Sequence, residues 1–174
     1  MSRETLRVVA LAVVAAAVLA MPAQAAAPAV TSDGSLQRSL LEEINAVRHA
    51  HGLAPVRANA ALARAAGSHA RAMAVHGFFS HSSRDGTAFW KRIARNYTSS
   101  GYRTWEVGEN LVWSTDLSAG EAVSLWMASP GHKKVLLNGR WREVGLAAVL
   151  APNAPGTFQG RDVTIVTADF GLRR

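Results

Sequence analysis

The sequence contains no cysteine. That excludes a disulfide framework, a cysteine nucleophile and thiolate metal ligands. It has no HExxH pair, no GxSxG elbow and no glycine-rich phosphate loop, so zincin, nucleophile-elbow hydrolase and nucleotide-binding motifs are all missing. No apolar run reaches the ~20 residues that a membrane span needs, because Pro22 breaks the one that starts at Val8. Like charges form no long block. They occur as short pairs such as Lys133-Lys134 and Arg173-Arg174, which gives little footing for nucleic acid.

What is present begins with an export signature. Arg3 and Arg7 make a positive start, Val8 to Leu19 a short apolar run, and Ala23-Gln24-Ala25 a small-residue cleavage pattern. The expected organisation is a signal peptide over 1–25, a short linker over 26–34 and one domain over 35–174. A retained N-terminal anchor is the alternative. The chain of 174 residues carries a net charge of +7, and loss of the signal would leave about +6 by the same residue counting. Such a balance favours anionic envelope polymers or membrane surfaces as contacts.

Beyond the linker, Leu36, Leu40, Leu41, Ile44 and Val47 recur at helical spacing from about Ser35, and Gly52 ends the run. Asn59 suits the cap of a second helix. Its inward face holds Leu62, Ala66, His69 and Met73, and a histidine on such a face is normally a hydrogen-bonded core residue. A short third helix is expected from Thr87, with Phe89, Ile93 and Tyr97 buried. Gly108-Glu109-Asn110 reads as a turn feeding a short strand to Trp113. Ser118-Ala119-Gly120-Glu121 has the pattern of a capping box and starts a helix that stops at Pro130. Arg142 to Leu150 alternates as a strand, Pro152 to Gly160 reads as a loop, and Val163 to Phe170 is apolar on both faces, as a central strand is. Helices first and strands later imply an α+β domain.

Three stretches present groups that can do chemistry. His81 follows the apolar pair Phe78-Phe79, Glu109 stands before an apolar run, and His132 follows the break at Ser129-Pro130-Gly131. Two imidazoles and a carboxylate can ligate a divalent cation or perform acid–base work. Spacing by itself leaves the alternative that each only caps or hydrogen-bonds locally.

The order of Leu41-Glu42-Glu43-Ile44-Asn45-Ala46-Val47-Arg48, Asn59-Ala60-Ala61-Leu62, Ser80-His81, Gly108-Glu109-Asn110 and Trp126-Met127-Ala128-Ser129-Pro130-Gly131-His132, then Gly145 and Asp169-Phe170-Gly171, resembles the CAP superfamily (SCP or pathogenesis-related-1-like) in its bacterial secreted branch. The resemblance covers about Leu36 to Gly171. It implies a three-layer α-β-α sandwich with a central, mainly antiparallel sheet, and a cleft lined by His81, Glu109 and His132. It also implies a secreted, periplasmic or cell-envelope location. Some members are described as binding divalent metal, others sterols, lipids or proteins, and proteolysis has been proposed for some. Eukaryotic members usually place a second glutamate where this chain has Ser129, and Lys133 and Lys134 add positive charge beside the site.

The expectation that follows is a ligand-binding module whose cleft takes a lipid, an envelope polymer or a protein. A divalent cation, zinc or magnesium, weakly held by His81, Glu109 and His132, is a possible addition to that expectation. The alternatives are a metal-assisted hydrolase with His81, Glu109 and His132 as its catalytic residues, and a structural or interaction protein. Whether any reaction is catalysed does not follow from the residues, since fold does not give function.

Overall fold

The computed structural model describes residues 29–174, so the expected signal peptide and residues 26–28 of the expected linker lie outside the described residues. Two capped helices frame the first half. α1 (Gly34–Ala50) starts where the Asp33 carboxylate accepts from the N–H groups of Ser35 and Leu36. α2 (Ala60–His76) starts where the Asn59 side chain accepts from those of Ala61 and Leu62. It ends at Gly77, whose φ of 66° is left-handed and closes the last turn. Two short strands precede these helices, β1 (Thr31–Ser32) before α1 and β2 (Arg57–Ala58) before α2. The linker expected over 26–34 therefore contributes a strand and a helix cap.

α3 (Phe89–Ala94) is followed by β3 (Trp105–Ser114), α4 (Ala119–Ala128), α5 (Pro130–Leu136), β4 (Glu143–Ala154), a 3-10 turn over Gly156–Phe158 and β5 (Arg161–Arg173). The sheet runs β1-β4-β5-β3, with β2 on the same edge of β4 as β1. All its pairings are antiparallel except β2 with β4. β5 is central, as its apolar run predicts.

Alternation along the strands sends side chains to two faces. Val144, Leu146, Ala148, Val166, Ala168 and Phe170 pack with Leu40 and Ile44 of α1, Ala122, Val123 and Trp126 of α4 and Leu136 of α5. Leu111, Ala147, Val149 and Ile165 pack on the other face under Ala66, Ala70 and Met73 of α2. The small residues let α2 lie close. A Cβ on Gly145 would come 2.0 Å from the Leu62 carbonyl carbon. This is the expected α-β-α sandwich.

Two local expectations need correction. Gly108-Glu109-Asn110 is no turn: all three lie inside β3, paired with Phe170, Asp169 and Ala168. Pairing along the full length of β5 overrides the local glycine. The helix that stops at Pro130 is followed at once by another. Proline has no N–H to lose at a first helical position, so Pro130 opens α5 and His132 sits in its first turn.

Candidate functional site

The site straddles the β3 edge of the sheet. His81 comes from the loop after α2. That loop is fixed from below by His69, whose Nε2 lies 2.8 Å from the Ser80 carbonyl oxygen. His69 is thus the hydrogen-bonded core histidine its position suggests. Burial, and then the charge of Arg92, lowers its pKa from the ordinary 6.5.

Glu109 projects from β3 toward the α2 face. Its Oε1 lies 2.8 Å from His81 Nδ1, and its Oε2 accepts from Arg92 of α3. The Glu109 side chain has no exposed surface, whereas the His81 side chain is half exposed. Burial alone would raise the Glu109 pKa. The His81 hydrogen bond and the Arg92 charge outweigh that and hold it below the ordinary 4.5.

Opposite Glu109 on β5 is Asp169. Thr104 and Arg174 exchange both backbone hydrogen bonds, and register steps by two, so Glu109 and Asp169 form a non-hydrogen-bonded cross-strand pair. Side chains stand closest in such pairs. Asp169 is fully buried, and its nearest cation, Arg92 Nη1, is 3.7 Å away. Burial and the neighbouring Glu109 carboxylate push its pKa well above the ordinary 3.8, with Arg92 only partly offsetting. The core of the site is two buried carboxyl groups, shifted in opposite directions, beside one guanidinium.

His132 reaches the site from α5, on the far side of β3. Asn110 Nδ2 donates to the His132 carbonyl oxygen at 3.0 Å, tying the start of α5 to the strand. The His81 and His132 ring centroids are 6.3 Å apart. Burial, and then repulsion from His81, lowers the His132 pKa, so its imidazole is neutral at pH 7.

Two hollows open here. One, of about 510 Å³, is lined by His81, Glu109, Phe89, Val107, Lys134 and Trp141 among others. Gly108 gives Trp141 its room: a Cβ there would stand 2.8 Å from the indole. Trp141 stacks on Phe170 and donates from Nε1 to the Val135 carbonyl oxygen at 2.8 Å. The other hollow, of about 310 Å³, holds His132 with Phe79, Trp113, Leu125 and Trp126. The structure therefore brings His81 and Glu109 into direct contact. His132 stands beside His81 but lines the second hollow.

Among the described residues, no group of three or more His, Asp or Glu side chains is arranged to hold a metal ion. Glu109 is the reason here. One oxygen is engaged by His81 and the other by a guanidinium, which a cation would have to displace. Two imidazoles remain, too few for the usual three or four protein ligands of a resident zinc. The donor set does not fit a resident metal.

Arg92 and Asp169 join the site beyond the three residues expected from the sequence. Arg92 had a signal. It lies three residues after Phe89 and beside Ile93, so it falls on the buried stripe of α3, where a charge needs a partner.

A family model described as CAP, the cysteine-rich secretory protein family, matches residues 41–170. An uncharacterized membrane protein of Bacillus subtilis is 27% identical over 110 residues, 63% of this chain and 30% of that protein. The chain thus spans less than a third of that relative's length. An outer surface protein from Borrelia burgdorferi superposes with a TM-score of 0.66 at 20% identity, over 83% of this chain and 98% of its own. An extracellular protein containing a SCP domain from Bacillus anthracis superposes with a TM-score of 0.59 at 22% identity, over 79% of this chain and 40% of its own. At these identities the superpositions speak for the fold.

Proposed function

We propose, for a chain that belongs to the CAP family of cysteine-rich secretory proteins, that it is an exported ligand-binding module whose cleft takes an elongated amphipathic molecule with an anionic head. The observation that carries this reading is the lining of the larger hollow. Phe89, Val107, Val135 and Trp141 offer apolar wall, while Lys134, His81 and Asn138 offer polar groups. The second hollow, with Phe79, Trp113, Leu125 and Trp126, offers further apolar surface beside His132. Lys134 attracts the head, and the neutral His132 supplies a hydrogen-bond partner.

Export is supported by the N-terminal charge and apolar pattern. It is also supported by fold relatives described as an outer surface and an extracellular protein. No helix among the described residues is long and apolar enough to cross a membrane. The hydrolase reading is weaker. It needs Glu109 as general base to a water, yet both oxygens are engaged and the side chain has no exposed surface.

Decanoate and 1-decanol, titrated into nitrogen-15-labelled protein, test the proposal. Decanoate is expected to shift the Trp141 indole N–H and the Gly108 and Val135 amides to saturation. Lys134→Ala should weaken decanoate several-fold and leave decanol unchanged. Binding with no shift at these resonances, or none at millimolar concentration, removes the reading.

A further inference from the structure

The opposite edge of the sheet carries a second recognition feature, independent of the cleft. β4 is paired with β5 along one side. Along its other side β1 and β2 lie end to end. β1 covers Val149 and Leu150, and β2 covers Glu143 and Val144. The flanking residues add one bond each: the Asp33 N–H donates to the Ala148 carbonyl at 3.0 Å, and the Asn59 N–H to the Val144 carbonyl at 2.9 Å. Alternate residues of a strand turn their backbone groups to the same side. Leu146 lies midway between Val144 and Ala148, so its N–H and C=O also point to this edge. Among the described residues, neither strand, loop, helix nor side chain supplies them a hydrogen bond. Leu146 is only 9% exposed. An unpaired stretch of strand edge is a template for another backbone.

In front of Leu146 lies a hollow of about 520 Å³. Gln37, Arg38 and Leu41 of α1 form one wall, and Asn59, Ala60 and Ala63 at the start of α2 form the other. No acidic side chain lines it. Arg38 is exposed at its rim, and the Asp33 carboxylate is already engaged in capping α1. From Val144 to Ala148 the strand covers about 13 Å at the usual rise per residue. That is too short for an added strand between β1 and β2, but long enough for a single pairing residue.

We propose that this notch binds a short extended peptide ending in a carboxylate. One residue exchanges both backbone hydrogen bonds with Leu146, as in an antiparallel pair, and the carboxylate lies toward Arg38. Backbone pairing gives attraction without sequence selectivity, and the small side chains of Ala60 and Ala63 leave room for those of the peptide.

Amide hydrogen exchange followed by a peptide titration tests this. In the free protein the Leu146 amide is expected to exchange at least about tenfold faster than those of Gly145 and Ala147, which face β5. N-acetyl-alanyl-alanine should shift the Leu146 resonance to saturation and slow its exchange. The same peptide with a C-terminal amide should bind several-fold more weakly. Arg38→Gln should lower affinity for the carboxylate form to that of the amide form. Leu41→Trp, which fills the hollow, should abolish binding. If that variant does not fold, Arg38→Gln and the peptide pair decide alone. The proposal is overturned if Leu146 is as protected as its neighbours in the free protein. It is equally overturned if the peptide leaves Leu146 unmoved at millimolar concentration, or if the Leu146 shift follows protein dilution rather than peptide, which would mean a second copy occupies the notch.

Discussion

Glu109 and Asp169 face each other across β3 and β5 with one guanidinium between them, and their pKa values move in opposite directions. Glu109 is held down, so its contribution to stability is present above the ordinary 4.5 and is lost as pH falls through its lowered value. Asp169 is pushed up, so the folded protein keeps a proton that the unfolded chain releases above about 3.8. Its contribution therefore declines as pH rises from there through the raised value. Asp169→Asn keeps the shape and a donor but removes the titration. The variant should melt above the parent at pH 8, and the gap should close toward pH 4. Thermal melts across this range decide it. A variant destabilised equally at every pH would contradict the raised Asp169 pKa. At this scale His81 and Glu109 are readable from the chain alone, because both sit beside recognisable breaks or apolar runs. Asp169 has no role legible from its neighbours Phe170 and Gly171, since only the register reveals what it opposes.

Helix starts were legible because each has its own local chemistry: Asn59 and Ser118 accept from N–H groups two or three residues ahead in their helices. The first helix showed its apolar spacing, and its cap proved to be Asp33. β3 was less legible. Its start at Trp105 depends on β5, more than fifty residues later, and glycine at 108 reads locally as a turn. Short strands β1 and β2 had no periodic signal at all, being only two residues each. The packing of α2 on β4 rests on glycine for another reason, the absence of a side chain. Gly145→Ala would drive a Cβ into the backbone at Leu62 and Ala63, within 2.1 Å of both. It should destabilise the protein by about 2 kcal/mol or more, as overpacking does. Gly120→Ala, in α4 with nothing within 4 Å of the new Cβ, should be neutral or stabilise by up to about 1 kcal/mol. Chemical denaturation of the two variants checks the contrast. Equal effects would mean that α2 can shift away from the sheet without cost.

For the molecule as a whole, the family and the α-β-α architecture were legible from ordered motifs over most of the chain, and the family match over residues 41–170 agrees. The electrostatic interior of the site was not, because three ionisable side chains meet there from α3, β3 and β5. The net charge of +7 has a consequence for the proposed ligand. Decanoate affinity should fall as salt rises, since attraction from Lys134 and its surroundings is screened over about 8–10 Å at 0.10–0.15 M salt. Decanol affinity should not fall. A salt-independent decanoate affinity would place the head away from Lys134.

Zinc titration calorimetry at pH 7 tests the central arrangement most directly, with Glu109 committed inward to His81 and Arg92 rather than offered to a cation. Any zinc binding by the parent should be weak, and lost on His81→Ala or His132→Ala. In Glu109→Gln it should stay within about twofold, far less than the 1.4 kcal/mol of a tenfold change. Tight binding that vanishes with Glu109→Gln would show the carboxylate to be a metal ligand and would contradict this account of the site.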